Sequence, residues 1–234
     1  MKNEVWERCV KNWMFHIAEL KVRGVEVSDL KELRGIPESQ IEKFERATGL
    51  RLSDEFKDLV RITGGASFYW WWQEDEAGAL PEDLIEFESG GNSEFDLIGA
   101  TKTWTLLKLY EAFQESYEGY EVEDPKQREL IKNCFPLYLN DGDGNALALR
   151  LDTDPCEVHY LDGEFCWHLF EGVEYPDARD SSICGMGLLN FLESWSNVGS
   201  PSVAAMDYVL SRARKSSFDS ESVVSKAWLE LVTS

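Results

Sequence analysis

The stretch FPLYLNDGDGNALALRL, residues 135–151, constrains the fold more than any other part of the chain, because a dense turn signal sits between two apolar strand patterns. Phe135, Leu137 and Leu139 alternate before the turn and the run Ala146, Leu147, Ala148, Leu149, Arg150, Leu151 follows it, which is the two-residue period of strands. Between them Asn140, Asp141 and Asn145 tolerate left-handed backbone, and Gly142 and Gly144 reach it freely, as a tight reversal requires. The pattern predicts an antiparallel hairpin placed centrally in a sheet. Leu147, Leu149 and Leu151 would fill one face, and the small Ala146 and Ala148 would admit a helix on the other. A chain of 234 residues is long enough to supply the cover and bury a core.

Helices are announced upstream. Trp6, Cys9, Val10, Trp13, Met14, Ile17 and Leu20 recur at helical spacing over residues 4–23, and Gly24 stops them. This stripe packs either on its own domain or on a second copy or partner. Ser28 reads as the cap of a short turn ending at Gly35. Residues 36–65 read as two helices. Pro37 starts the first, Ile41 and Phe44 form its apolar face and Gly49 ends it. Ser53 caps the second, Asp54 and Glu55 complement its positive N-terminus, Phe56, Leu59 and Val60 point inward, and Gly64 and Gly65 end it.

Residues 66–73, ASFYWWWQ, predict a strand. Neighbours on a strand point to opposite faces, so Tyr69, Trp70, Trp71 and Trp72 cannot all share one core surface. Further on, the spacing predicts a short strand at 97–99 and a helix at 103–117 through Trp104, Leu107, Tyr110 and Phe113. Strands at 157–161 and 164–169 would join around Asp162 and Gly163, an irregular stretch fills 170–183, and a helix spans 187–195. Gly199, Ser200 and Pro201 mark a boundary, beyond which 203–214 and 220–231 read as two terminal helices. The organisation expected is an N-terminal helical extension, 1–35, packed on a core domain, 36–198, followed by a helical appendage, 199–234.

Charge narrows the partners. With 23 basic and 44 acidic side chains the formal charge is −21, which repels nucleic acid and anionic lipid and speeds encounter with a basic protein, although solubility alone also explains it. Glu74, Asp75, Glu76, Glu82, Asp83, Glu86, Glu88, Glu94 and Asp96 fall within 74–96 without a single Lys or Arg. They follow the aromatic strand directly, and aromatic anchors beside steering charges are what a protein-binding surface offers; a solvated insertion over a strand edge is the other reading. A second cluster, Glu115, Glu118, Glu121, Glu123 and Asp124, again mixes acids with Tyr117 and Tyr120. The candidate partner-binding residues are therefore Tyr69, Trp70, Trp72, Glu74, Asp75, Glu76, Glu82, Asp83, Glu86, Glu88, Glu118, Tyr120 and Glu121.

Chemistry inside the chain has little to build on. Asp141, Asp143, Asn145 and Asp152 match offsets of a calcium loop, yet Ala146 replaces its turn glycine and Asp152 is shorter than the bidentate Glu. Cys156, His159, Cys166 and His168 reach a zinc ligand count at spacings that fit no common finger, with Cys156 and His159 on opposite strand faces. No G-x-S-x-G or H-E-x-x-H occurs. No catalytic residue, metal ligand or cofactor is assigned. Five scattered cysteines, an odd number, read as reduced thiols. No apolar run of about 18 residues and no signal-peptide layout is present, which predicts a cytoplasmic protein without membrane contact.

The order of these elements resembles the SUKH superfamily of Smi and Knr type proteins. The resemblance rests on Ile41, Glu42, Phe44, Glu45, Gly49, Leu52, Glu55, Phe56, Leu59, Gly64 and Gly65, then Phe135, Pro136, Asp141, Gly142, Gly144, Leu147, Val158, Tyr160 and Asp162, then Phe191 and Leu192, and covers residues 36–198. Ser53 stands where proline is usual, Asn145 where an acid is usual and Thr63 where asparagine is common. The resemblance implies an α+β fold, a largely antiparallel β-sheet flanked by helices, to which this chain would add N- and C-terminal helices. It also implies a protein with no catalytic centre: in bacteria an immunity protein that binds a cognate toxin, often a nuclease and therefore basic, and in fungi a regulatory scaffold. A monomer or weak homodimer is expected.

Overall fold

The computed structural model describes residues 2–22, 24–71, 91–96, 105–118, 125–139, 146–161 and 183–197. Helix α1 (Lys2–Val22) buries Trp6, Cys9, Trp13, Ile17 and Leu20 as their spacing predicts, with His16 joining them. Met14, expected on that stripe, is 52 % exposed, because the 3.6-residue turn carries position 14 about 100° away from position 13. Gly24 follows with φ of 82°, a left-handed backbone that glycine adopts without strain.

The segment expected to be a turn from Ser28 to Gly35 is strand instead. Strands β1 (Glu26–Val27) and β2 (Lys31–Arg34) both pair antiparallel with β3 (Thr63–Trp71). Ser28 does not cap a helix; it carries the ladder between the two. Its backbone N–H donates to the Tyr69 carbonyl at 2.8 Å and its hydroxyl accepts from the Tyr69 N–H at 2.9 Å. On the opposite edge β4 (Gly91–Asp96) runs antiparallel to β3, so β3 is the central strand of this sheet.

Helices α2 (Glu38–Thr48) and α3 (Asp54–Ile62) follow the predicted punctuation. Pro37 precedes α2, Gly49 closes it at φ 73°, and the Ser53 hydroxyl accepts from the Phe56 N–H at 3.1 Å. Gly64 and Gly65 do not end α3 in a loop. The helix passes directly into β3 at Thr63, and both glycines lie in the strand.

The central hairpin is present: β5 (Cys134–Leu139) pairs with β6 (Ala146–Arg150), which pairs with β7 (Glu157–Leu161), which pairs with β8 (Ile183–Met186), all antiparallel. At Val158 and His159 both edges of β7 are taken, by β6 and β8. The strand expected at 164–169, like the turn at 140–145 and the short strand expected at 97–99, falls outside the described residues. The two faces divide as their side-chain sizes predict. Phe135, Leu137, Leu147, Leu149, Val158 and Tyr160 enter the main core with α1, α2 and α3. Ala146, Ala148 and Leu161 form a second core under α4 (Leu106–Glu118) and α5 (Pro125–Lys132), with Phe113, Tyr117, Leu130 and Ile131.

Helix α6 (Leu188–Asn197) closes the main core with Leu188, Phe191, Leu192 and Trp195. Gly187 before it has no side chain to serve as a cap. The Glu55 carboxylate of α3 takes that place, accepting from the Leu188 N–H at 3.0 Å and the Leu189 N–H at 3.4 Å. The mixed α+β architecture and its added N-terminal helix are thus seen directly, whereas the two helices expected after residue 199 lie outside the described residues. Among the described residues no helix is long and apolar enough to cross a membrane.

Candidate interaction surface

Strand β3 sorts the aromatic run by parity. Ala66, Phe68 and Trp70 point into the main core, Phe68 fully buried and Trp70 3 % exposed. Trp70, a candidate for binding by its sequence context, is therefore a core side chain. Its ring packs against Phe68 at 5.7 Å. Tyr69 points the other way and stays 43 % exposed. Its backbone is pinned on one edge by Ser28, and on the other it sits in register with Asn92. Sequence reading overlooked that Ser28 positions Tyr69; the signal was a serine that could extend a ladder as readily as cap a helix.

Trp70 pairs with Gly91. The chain that leaves β3 therefore returns beside it, and residues 72–90 are the connection between two antiparallel neighbours. Glu74, Asp75, Glu76, Glu82, Asp83, Glu86 and Glu88 all belong to this connection, which contains no basic residue. They and Trp72 lie outside the described residues, but both ends of the connection are fixed within the ladder next to Tyr69. Glu94 and Asp96 belong to β4 itself, in register with Ser67 and Gly65.

The second acidic cluster starts from a different element. Glu118 is the last residue of α4, while Tyr120 and Glu121 fall outside the described residues. Tyr117 is no part of a binding surface, because it is 3 % exposed and its hydroxyl donates to the Leu161 carbonyl at 3.4 Å.

The charge is unevenly held. Residues 1–65 contain 12 basic and 12 acidic side chains, so the whole formal charge of −21 lies in residues 66–234. Arginines of the balanced part tie helices together. Arg8 of α1 grips Glu193 of α6 through two hydrogen bonds of 2.6 and 3.0 Å, and Arg61 of α3 grips Glu38 of α2 at 2.7 and 2.8 Å. The Arg61 guanidinium holds the Glu38 carboxyl below the usual carboxylate range, and Arg8 does the same to Glu193.

Among the described residues a chain of polar groups runs from exposed Asp152 through partly buried Arg150 to buried Glu157 and His159. Arg150 binds Asp152 at 2.5 and 3.1 Å and Glu157 at 3.1 Å, and Glu157 meets His159 Nε2 at 3.1 Å. His159 is fully buried, so no reactant touches its imidazole; the chain neutralises charges beneath α4 and α5. Asp152 is committed to Arg150, which removes it from the calcium template, whose other positions lie outside the described residues. Cys156 packs in the main core with Val158, on the face of β7 away from His159. Among the described residues no group of three His, Cys, Asp or Glu side chains is arranged to hold a metal ion.

Neither a curated protein nor a solved structure matched the chain. A family did: residues 35–180 match the SMI1 / KNR4 family (SUKH-1), a span that begins just after β2, runs from α2 through β7 and includes the β3–β4 connection, leaving α1, β1, β2, β8 and α6 outside it. With the helix pair α2–α3, the aromatic central strand and the Asp-Gly hairpin all lying inside that span, the chain belongs to the SMI1 / KNR4 family.

Proposed function

We propose that this protein is an immunity protein that neutralises a cognate toxin by non-covalent binding, and that it performs no catalysis itself. Family membership supports the general class, since bacterial SUKH proteins are linked to toxins. The observation that carries the specific reading is the acidic connection 72–90 leaving the central strand beside exposed Tyr69. Seven carboxylates in one connection that contains no basic residue repel each other, a cost offset when a basic partner supplies the opposite charge. A nuclease toxin carries such charge around its nucleic-acid channel, and Tyr69 supplies a rigid anchor at the edge of the acids.

Growth rescue tests this reading. Each product of the genes neighbouring this protein's own is expressed alone and together with it, and the pair is purified from the surviving cells. Rescue with a stable complex is expected. A Tyr69→Ala, Glu74→Lys, Glu76→Lys variant should lose both rescue and complex while keeping its melting temperature. A complex without rescue favours a regulatory scaffold of the same fold, and rescue by substrate turnover without a complex overturns the proposal.

A further inference from the structure

We infer that two copies of this chain pair through the outward face of α1, antiparallel about a two-fold axis that sets Phe15 of one copy against Ala18 of the other. Three of the six large hydrophobic side chains exposed among the described residues lie on this face: Met14 at 52 %, Phe15 at 49 % and Val22 at 82 %. Exposed Ala18 joins Phe15 and Val22 into one stripe at helical spacing. The opposite face of α1 is already occupied by the main core, through Trp6, Cys9, Trp13, Ile17 and Leu20, so covering the stripe needs a second surface.

Charge selects a second copy as the occupant. Helix α1 carries four basic and three acidic side chains, so it offers little attraction to a basic or an acidic partner. A chain of −21 can approach its own copy here without strong repulsion. Arg8 and Lys21 are engaged with Glu193 and Asp29. Lys11 and Glu19 flank the stripe, one helical turn to either side of Phe15, and neither takes part in an ion pair among the described residues.

The antiparallel register brings these two charges together. With Phe15 opposite Ala18, Lys11 lies opposite Val22 and roughly 4.5 Å along the axis from Glu19 of the other copy. The lysine stem covers the Val22 side chain while its ammonium reaches that carboxylate. The two-fold axis makes the same contact twice, and Ala18 is small enough for the Phe15 ring to lie over it. About six side chains a side, against the roughly 20–30 of a standard interface, make a weak dimer whose population follows concentration. Since α1 precedes the family match at 35–180, the pairing belongs to this chain's own N-terminal addition and stands apart from toxin binding.

Sedimentation equilibrium of the full chain, from micromolar to near-millimolar concentration at low salt, tests the pairing. The average mass should rise from the 26.8 kDa of one chain toward twice that. Phe15→Asp should hold it at one chain throughout, with an unchanged melting temperature because the ring is half exposed. Lys11→Glu alone, or Glu19→Lys alone, turns two attractions into two repulsions and should weaken association by about tenfold. An equimolar mixture of those two variants restores both pairs and should associate like the wild type. A wild type that stays at one chain overturns the inference, as does a dimer that survives Phe15→Asp or a mixture no better than its components. Benzoylphenylalanine in place of Phe15 reads the occupant directly: irradiation should give a covalent dimer, whereas an adduct within one chain would assign the face to another part of the same chain and sink the proposal.

Discussion

His16 is buried to 1 % exposure between α1 and the end of α6, and burial pushes its imidazole down to about 4, against hydrogen bonds to the Ser196 and Asn197 carbonyls that work the other way. Those carbonyls only accept, so Nε2 carries the proton of a neutral ring. The unfolded chain binds a second proton below about 6.5 while the folded chain refuses it down to about 4, so stability is full above pH 6.5 and falls as the pH falls. The loss reaches about 2 kcal/mol by pH 5. Glu38 and Glu193, with lowered carboxyl values, add their own loss only below about 4.5. Between pH 7 and 5 the urea midpoint should drop in the wild type and drop less steeply in His16→Gln; equal slopes in the two would show that His16 takes up its proton in the fold. The same burial makes Cys9 unreactive, its thiol pushed up to about 11, and raises Cys134, Cys156 and Cys184 as well.

Among the elements, α6 depends on a residue borrowed from α3. Gly187 accepts the Phe191 N–H through its carbonyl but offers no side chain, so the Glu55 carboxylate covers the first two N–H groups of α6. Glu55→Ala leaves those donors without an acceptor beside fully buried Leu188 and should cost about 1–2 kcal/mol, a fall of several degrees in melting temperature. Glu55→Gln keeps one acceptor oxygen and should fall by roughly half as much. Equal melting of Glu55→Ala and wild type would show that α6 stands without this cap. Elements with strong local signals were legible in advance: the caps of α2 and α3, the Leu and Ala faces of β6, and the stripe of α1. The missed ones are short and borrow their stability from neighbours. Residues PKQRELIK, α5, carry only Leu130 and Ile131 for the second core, and β8 is four residues long with a single buried side chain, Cys184. For α4 the helix was foreseen but its inner face was placed one position off, since Leu106, Leu109, Phe113 and Tyr117 are buried where Leu107 and Tyr110 were expected.

At the scale of the whole molecule the surface could be read from composition only as a total. The sequence shows a charge of −21, but the strand register shows that seven of the acids join two paired strands beside Tyr69, and burial removes Trp70 and Tyr117 from the aromatic set. Parity along β3 allowed the Tyr69 and Trp70 split in principle; which of them faced inward depended on the helices that cover that side, and no local pattern carries this. The uneven charge separates two explanations of the acidity. If the charge serves solubility, any acid removed counts alike; if it steers a basic partner, position matters. Glu74→Lys with Glu76→Lys, and Glu7→Lys with Glu42→Lys in the balanced helical half, move the formal charge by the same amount from −21. In stopped-flow association with the basic toxin partner proposed above, at low salt, the first pair should slow the on-rate on the order of tenfold and the second by less than about twofold. Raising the salt to about 0.5 M should bring the three rates together, since the screening length then falls below the distance over which these charges act. Two pairs with equal effects at low salt would mean that the acidity acts through its sum, and the connection between β3 and β4 would lose its claim to be the surface that attracts the partner.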